Sequence, residues 1–167
     1  MRITTNTYDE SGRLAVADTR TDYDDDGTTD SHYSLSYTYD ERGNVTSLVQ
    51  MQFDTRGMVT YIYSSLKTYD AEDRLLTESF SYDGDGNGKP EWEQYQFKTY
   101  DVDGNLLSSV IEYDWDVDGL IDERFSLTNT YTSNDYPIVS RYETDVYADG
   151  KIEQWSQSDH EYTWMCP

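Results

Sequence analysis

The stretch TYDERGNV, Thr38 to Val45, decides how this chain is read. An aspartate followed three residues later by glycine is turn chemistry. The Asp side chain accepts a hydrogen bond from the backbone two residues on, and the glycine takes the left-handed conformation that closes a short hairpin. The pattern returns as TYDESGRL, TYDAEDRL, TYDVDGNL and TYTSNDYPI, with its tyrosines at Tyr8, Tyr39, Tyr69, Tyr100 and Tyr131. Their spacings of 31, 30, 31 and 31 residues define a repeat. Gly12, Gly43 and Gly104 fill the glycine place. Asp73 replaces it once, which is tolerated because Asp enters the left-handed region more readily than most residues. The Tyr131 copy has an extra residue before Ile138, and a longer turn is expected there.

A second series starts half a period away, at Asp22, Asp54, Asp83, Asp114 and Asp145. Between the two series the chain alternates, as in Tyr33, Leu35, Tyr37, Tyr39 and Phe125, Leu127, Asn129, Tyr131, and is rich in Thr, Tyr and Val. This is strand patterning. Each unit of about 31 residues therefore holds two strands of about nine. From Arg13 to Tyr162 that makes about ten strands, with Ile3 to Tyr8 as an extra one. The expected fold is all-β, one domain over residues 1–167, an antiparallel meander curled or closed into a barrel-like sheet. Closure is favoured because an open sheet of that length exposes its edges. The alternative is a two-layer β-sandwich.

Composition narrows the function. Only 35% of the 167 residues are hydrophobic and 17 are tyrosines, so any interior must be lined by rings with a polar tip. A net charge of -22 repels nucleic acid and anionic membrane. No stretch approaches the roughly 18 apolar residues of a membrane span, and the first thirty residues hold no signal sequence. Cys166 is alone and reads as a terminal spectator. His32 and His160 read as surface spectators. With no nucleophile elbow or metalloprotease signature, no enzyme is expected.

The TYDERGNV half of the repeat resembles the tyrosine-aspartate (YD) repeats of Rhs-type bacterial surface and toxin-shell proteins. The resemblance implies a long antiparallel sheet winding upon itself. The acidic loops at alternate hairpin ends depart from that pattern.

Those loops carry the chemistry. In DWDVDGLIDE, numbered from Asp114, carboxylates fall at positions one, three, five and nine as Asp114, Asp116, Asp118 and Asp122, around Gly119, with the Leu120 carbonyl at seven. This is the oxygen spacing of a calcium loop. DYDDDGTTD repeats it with Asp22, Asp24, Asp26, the Thr28 carbonyl and Asp30. DGDGNGKPE repeats it with Asp83, Asp85, Asn87, the Lys89 carbonyl and Glu91. Hard oxygens alone favour calcium over zinc, and their number favours it over magnesium. The loops resemble those of EF-hands, dockerins and thrombospondin type 3 repeats, without the flanking helices or the position-twelve glutamate; Tyr33, Gln94 and Phe125 stand there. Affinity is therefore expected in the 10⁻⁴ to 10⁻³ M range of extracellular modules. DVYADGKIE keeps Asp145, Asp149 and Glu153 but has Tyr147 at position three, so about three sites are expected, with a fourth weak or unfilled. FDTRGMV, Phe53 to Val59, replaces the acidic loop by a bare short turn.

Trp92, Trp115 and Trp155 gather beside these loops, as shields for the metal or as a platform for sugar rings. The expectation is a non-catalytic, calcium-binding structural or adhesion module of a secreted or surface bacterial protein, working outside the cell where calcium is millimolar. Its partners would be calcium and a glycan or another surface protein. A calcium-dependent carbohydrate-binding module and a fragment of a Rhs/YD-type toxin shell are the alternatives.

Overall fold

The computed structural model describes residues 1–131 and 137–159, and these form strands without helix. In chain order they are β1 (Arg2–Tyr8), β2 (Leu14–Thr21), β3 (Ser31–Tyr39), β4 (Val45–Phe53), β5 (Val59–Tyr69), β6 (Leu75–Asp83), β7 (Trp92–Tyr100), β8 (Leu106–Asp114), β9 (Glu123–Tyr131), β10 (Pro137–Asp145) and β11 (Gln154–Asp159). Most are nine residues long, as the repeat arithmetic requires. Ile3 to Tyr8 lies within β1. The irregular turn expected after Tyr131 falls on residues 132–136, outside the described residues, as do His160 and Cys166.

Two compact units divide the chain, Met1–Glu93 and Gln94–Pro167, with the boundary inside β7. The strand order follows the sequence from β1 to β11, and the pairs from β1 to β6 and from β8 to β11 are antiparallel. The meander is as expected, and it is not closed into a barrel. Nor do the strands sort into two sheets, as a sandwich requires.

No hydrophobic side chain among the described residues is buried; the buried ones are Thr19, Ser65, Asp83, Asp114 and Asp145. The expected ring-lined interior is absent from them. Cross-strand pairs take its place, each contributing about 0.2–1 kcal/mol. Hydroxyls meet at Ser64 and Ser81 (2.7 Å), Thr68 and Thr77 (2.7 Å) and, in the second unit, Thr99 and Ser108 (2.6 Å). Rings meet at Tyr63 and Phe80, 5.8 Å apart. Lys67 pairs with Glu78 at 2.9 Å, and Arg124 with Glu112 at 2.6 Å.

The short turns close as read. Asp40 accepts from the N–H groups of Arg42 and Asn44 at 2.9 Å each, and Gly43 has φ +96°. Asp73, in the glycine place, has φ +64°. The register slips by one residue where the tyrosine meets the turn, between Thr7 and Tyr8, Thr38 and Tyr39, and Thr68 and Tyr69. The tyrosine itself has a second duty. Its hydroxyl donates to the carbonyl that opens the neighbouring strand, Tyr39 to Leu14 at 2.8 Å, Tyr69 to Val45 at 2.9 Å and Tyr131 to Leu106 at 2.9 Å. Arginines extend the lacing from turn to turn, Arg13 to the Asp40 carbonyl at 2.8 Å and Arg42 to the carbonyls of Asp70 and Ala71.

Candidate metal centre

The four acidic loops join β2 to β3, β6 to β7, β8 to β9 and β10 to β11. In three of them the position-one aspartate is the last residue of a strand, so the sheet covers it: Asp83, Asp114 and Asp145 are 5%, 2% and 2% exposed. A buried carboxylate needs donors. It finds them in the loop backbone.

The same hydrogen-bond frame recurs in all four. The glycine N–H at position six donates to the position-one carboxylate, at 2.9 Å from Gly27 to Asp22, 2.6 Å from Gly88 to Asp83, 3.0 Å from Gly119 to Asp114 and 2.8 Å from Gly150 to Asp145. The N–H at position two donates to the acid at position nine, from Tyr23 to Asp30, Gly84 to Glu91, Trp115 to Asp122 and Val146 to Glu153. That acid's own N–H returns to the residue before the loop, at 2.8 to 3.0 Å, which closes the hairpin. The N–H of position seven, in Thr28, Lys89, Leu120 and Lys151, donates to the side chain at position five.

The backbone bends to reach these bonds. The position-six glycines have φ between +86° and +88°, as the sequence predicts. Position four is left-handed too, in Asp25 (φ +57°), Gly86 (+70°), Val117 (+57°) and Ala148 (+46°). For β-branched Val117 this is a true outlier. Gly86 also has no room for a side chain, since a Cβ there would stand 2.6 Å from the Val59 carbonyl oxygen.

With the frame in place, carboxylates converge. One oxygen from each of Asp22, Asp24 and Asp30 lies within 4.8 Å of the others, and the same holds for Asp83, Asp85 and Glu91, for Asp114, Asp116 and Asp122, and for Asp145, Asp149 and Glu153. Each group can hold a metal ion. Positions one, three and nine meet in the first three loops; Asp26 and Asp118, at position five, are not among the converging groups, and Asn87 caps the Lys89 N–H in the same way. The fourth loop forms its cluster from positions one, five and nine, while Tyr147 at position three is 74% exposed.

Among the described residues no lysine or arginine ion-pairs with the converging acids of the first three loops. Two carboxylates this close repel by about 1 kcal/mol in water and more when partly desolvated. Burial is the largest influence on the Asp83 carboxyl and pushes it up. The N–H groups of Gly88, Gly86 and Asn87 overcome it, leaving the group below the usual carboxylate value. Asp83 is thus held as an anion. The Asp22 Oδ1 is covered and has no hydrogen-bond partner. Its counterparts in the other loops accept from the position-five N–H, at 3.1 to 3.2 Å. Here the Asp26 N–H turns instead toward Asp24, at 3.4 Å.

The fourth loop differs. Lys151 Nζ lies 2.6 Å from Asp149 Oδ2, and that hydrogen bond, then the charges of Asp149, Glu153 and Asp145, raise the lysine above its ordinary value.

The tryptophans sit against these loops, but their faces are partly taken. Trp92 stacks on Tyr82 with centroids 5.8 Å apart, and Trp115 on Tyr113 at 4.6 Å and 11°. Trp155 has the Arg141 guanidinium 5.7 Å from its centroid. Each stacking tyrosine immediately precedes its loop. His32 is not the surface spectator its neighbourhood suggested. It is stacked on Phe53 at 4.3 Å, with Nε2 2.7 Å from Asp18 Oδ2, and so pairs β3 to both of its neighbours.

No family model matches the chain, and none of the curated proteins matches it. Among solved structures, "Crystal Structure of TcdB2-TccC3-TEV" aligns over 93% of this chain at 13% identity and a TM-score of 0.27. The Photorhabdus luminescens Tc holotoxin pore, with a TccC3 substitution, aligns over 93% at 14% identity and a TM-score of 0.23. This chain spans 12% of the length of either, and at those scores the likeness carries no weight for fold or function.

Proposed function

We propose that the chain is a non-catalytic, calcium-stiffened β-repeat module that works outside the cell as a structural or adhesive spacer. The observation that carries the reading is the convergence of carboxylates without cationic partners in three loops built on one backbone frame. The donors are carboxylate oxygens, with neither His nor Cys in any cluster, which suits a hard divalent cation. A sheet with no buried apolar side chain among the described residues holds its hairpin ends by polar contacts, to which coordination would add. A calcium ion in each loop turns mutual repulsion into coordination and fixes the ends of two strands at once.

Weak sites of this kind fill where calcium is millimolar, which supports a working place outside the cell. Calorimetry with and without EDTA tests the reading. At calcium ten times the dissociation constant each filled site adds about 1.4 kcal/mol, so three add about 4 kcal/mol and raise the melting temperature by about 10 °C. An identical melting curve in calcium and in EDTA would end the proposal.

A further inference from the structure

The fourth loop has the backbone frame of the other three and yet two departures from them. Tyr147 removes the acid at position three, and Lys151 at position seven reaches back to Asp149. The lysine alone does not explain the pairing, because Lys89 occupies position seven of the second loop as well. There position five is Asn87, which offers an amide oxygen to the Lys89 N–H and carries no charge to draw the ammonium in. In the fourth loop Asp149 does both jobs: Oδ1 accepts from the Lys151 N–H at 2.9 Å and Oδ2 from its ammonium at 2.6 Å. Asp149 is also a member of the converging cluster, where its counterparts Asp26 and Asp118 are not. One side chain therefore brings a positive charge to the group of carboxylates that would otherwise face a metal.

We propose that the Lys151 ammonium is the built-in cation of the fourth loop, which therefore closes without calcium while the other three loops take it. The inference rests on the calcium reading above and gives the loops two classes: three that respond to the calcium supply, and one, between β10 and β11, that stays closed when calcium is withdrawn. The placement of charge, not its sum, favours it. The second and fourth loops each carry three acids and one lysine, but only Lys151 is ion-paired with a member of its converging cluster, while in the first loop the Met1 ammonium pairs with Asp25, outside the converging group. A divalent ion entering the fourth loop must first repel or displace an ammonium.

The position-six glycines report each loop separately, since their N–H groups bond the position-one carboxylates. Calcium titration of the ¹⁵N-labelled chain, with bound calcium counted by equilibrium dialysis, is the experiment. The expected result is three ions per chain, with the amides of Gly27, Gly88 and Gly119 shifting and that of Gly150 unmoved over the same range. In Lys151→Met the Gly150 amide should join them and the count rise to four, the site tightening about tenfold for the loss of one nearby positive charge. Lys151→Arg, which keeps the charge, should behave as the parent. Lys151 is 81% exposed, so neither variant threatens folding. Gly150 shifting with the others in the parent chain, or staying unmoved in Lys151→Met, overturns the inference while leaving calcium binding intact. No glycine responding in any variant overturns the calcium reading and this inference together.

Discussion

The molecule closes its hairpins in two ways, and the short turn at Asp54 to Met58 makes the contrast sharp because it joins β4 to β5 where a neighbouring connection is an acidic loop. In that turn Asp54 accepts from the N–H groups of Arg56 and Met58 at 2.9 and 2.8 Å, and the Arg56 guanidinium pairs with the same carboxylate at 2.9 Å. Its one acid is neutralised from within. The nine-residue loop after Asp114 satisfies its first carboxylate in the same manner, by the N–H groups of Asp118 and Gly119, and then adds Asp116 and Asp122 with no cation to meet them. Length by itself does not demand those acids. A short turn is complete as a covalent object, whereas a long loop is complete only with something positive in it.

The comparison breaks first at the frame. Asp114→Ala leaves the N–H groups of Asp118 and Gly119 without their acceptor and should cost about 2 kcal/mol in urea unfolding, in EDTA as well as in calcium. Asp116→Asn should be slightly stabilising in EDTA, where it relieves the repulsion among the converging carboxylates, and should forfeit its loop's calcium increment, about 1.4 kcal/mol at ten times the dissociation constant, when calcium is present. Equal losses in both media for Asp116→Asn would mean that the third position is structural and not a ligand.

On the side of the short turns, Tyr69→Phe removes the hydroxyl that reaches the Val45 carbonyl and should cost about 1 kcal/mol whether or not calcium is present. A calcium-dependent loss would blur the two classes of turn. Val117→Gly relieves a left-handed β-branched residue and should raise stability by about 1 kcal/mol with calcium stoichiometry unchanged.

Acid should loosen the short turns, through carboxyls that the fold holds low. Asp9 is lowered first by the Arg13 N–H, Asp54 first by that of Met58, and Asp101 first by the Asn105 side chain. A group whose folded value is depressed stabilises above its unfolded value, near 3.9, and loses that contribution as pH falls through the folded value. Melting temperature in EDTA should therefore hold steady from about pH 7 to 5 and fall below about pH 4; a fall already complete at pH 5 would contradict the turn geometry.

What the sequence made legible was whatever is periodic or local. The 31-residue spacing located the strands, because turn chemistry at both ends of each one fixes where pairing stops. Asp, Gly and Asp at set intervals located the loops. Hidden from it were properties that depend on register. Nothing in TYD says that the Tyr69 hydroxyl lands on Val45, 24 residues earlier, until the strands are aligned. The left-handed fourth position was hidden by its residues, since Gly86 and Asp25 are compatible with it but Val117 and Ala148 give no sign of it. The ion pair of Lys151 was hidden for a different reason: the same lysine at the same loop position, Lys89, has a different neighbour. Whether the meander closes was hidden as well, because an alternating strand pattern is the same in an open sheet and in a curled one.

The central claim is that divalent cations complete the acidic loops, and terbium tests it most directly. Trp115 lies between Asp114 and Asp116 in the third loop, close enough to pass excitation energy to a lanthanide bound there. Excited through tryptophan, the folded chain should give terbium emission that saturates, is displaced by calcium and drops selectively in Asp116→Asn. A folded chain that gives no sensitised emission at millimolar terbium, or emission indifferent to both calcium and Asp116, would contradict the account.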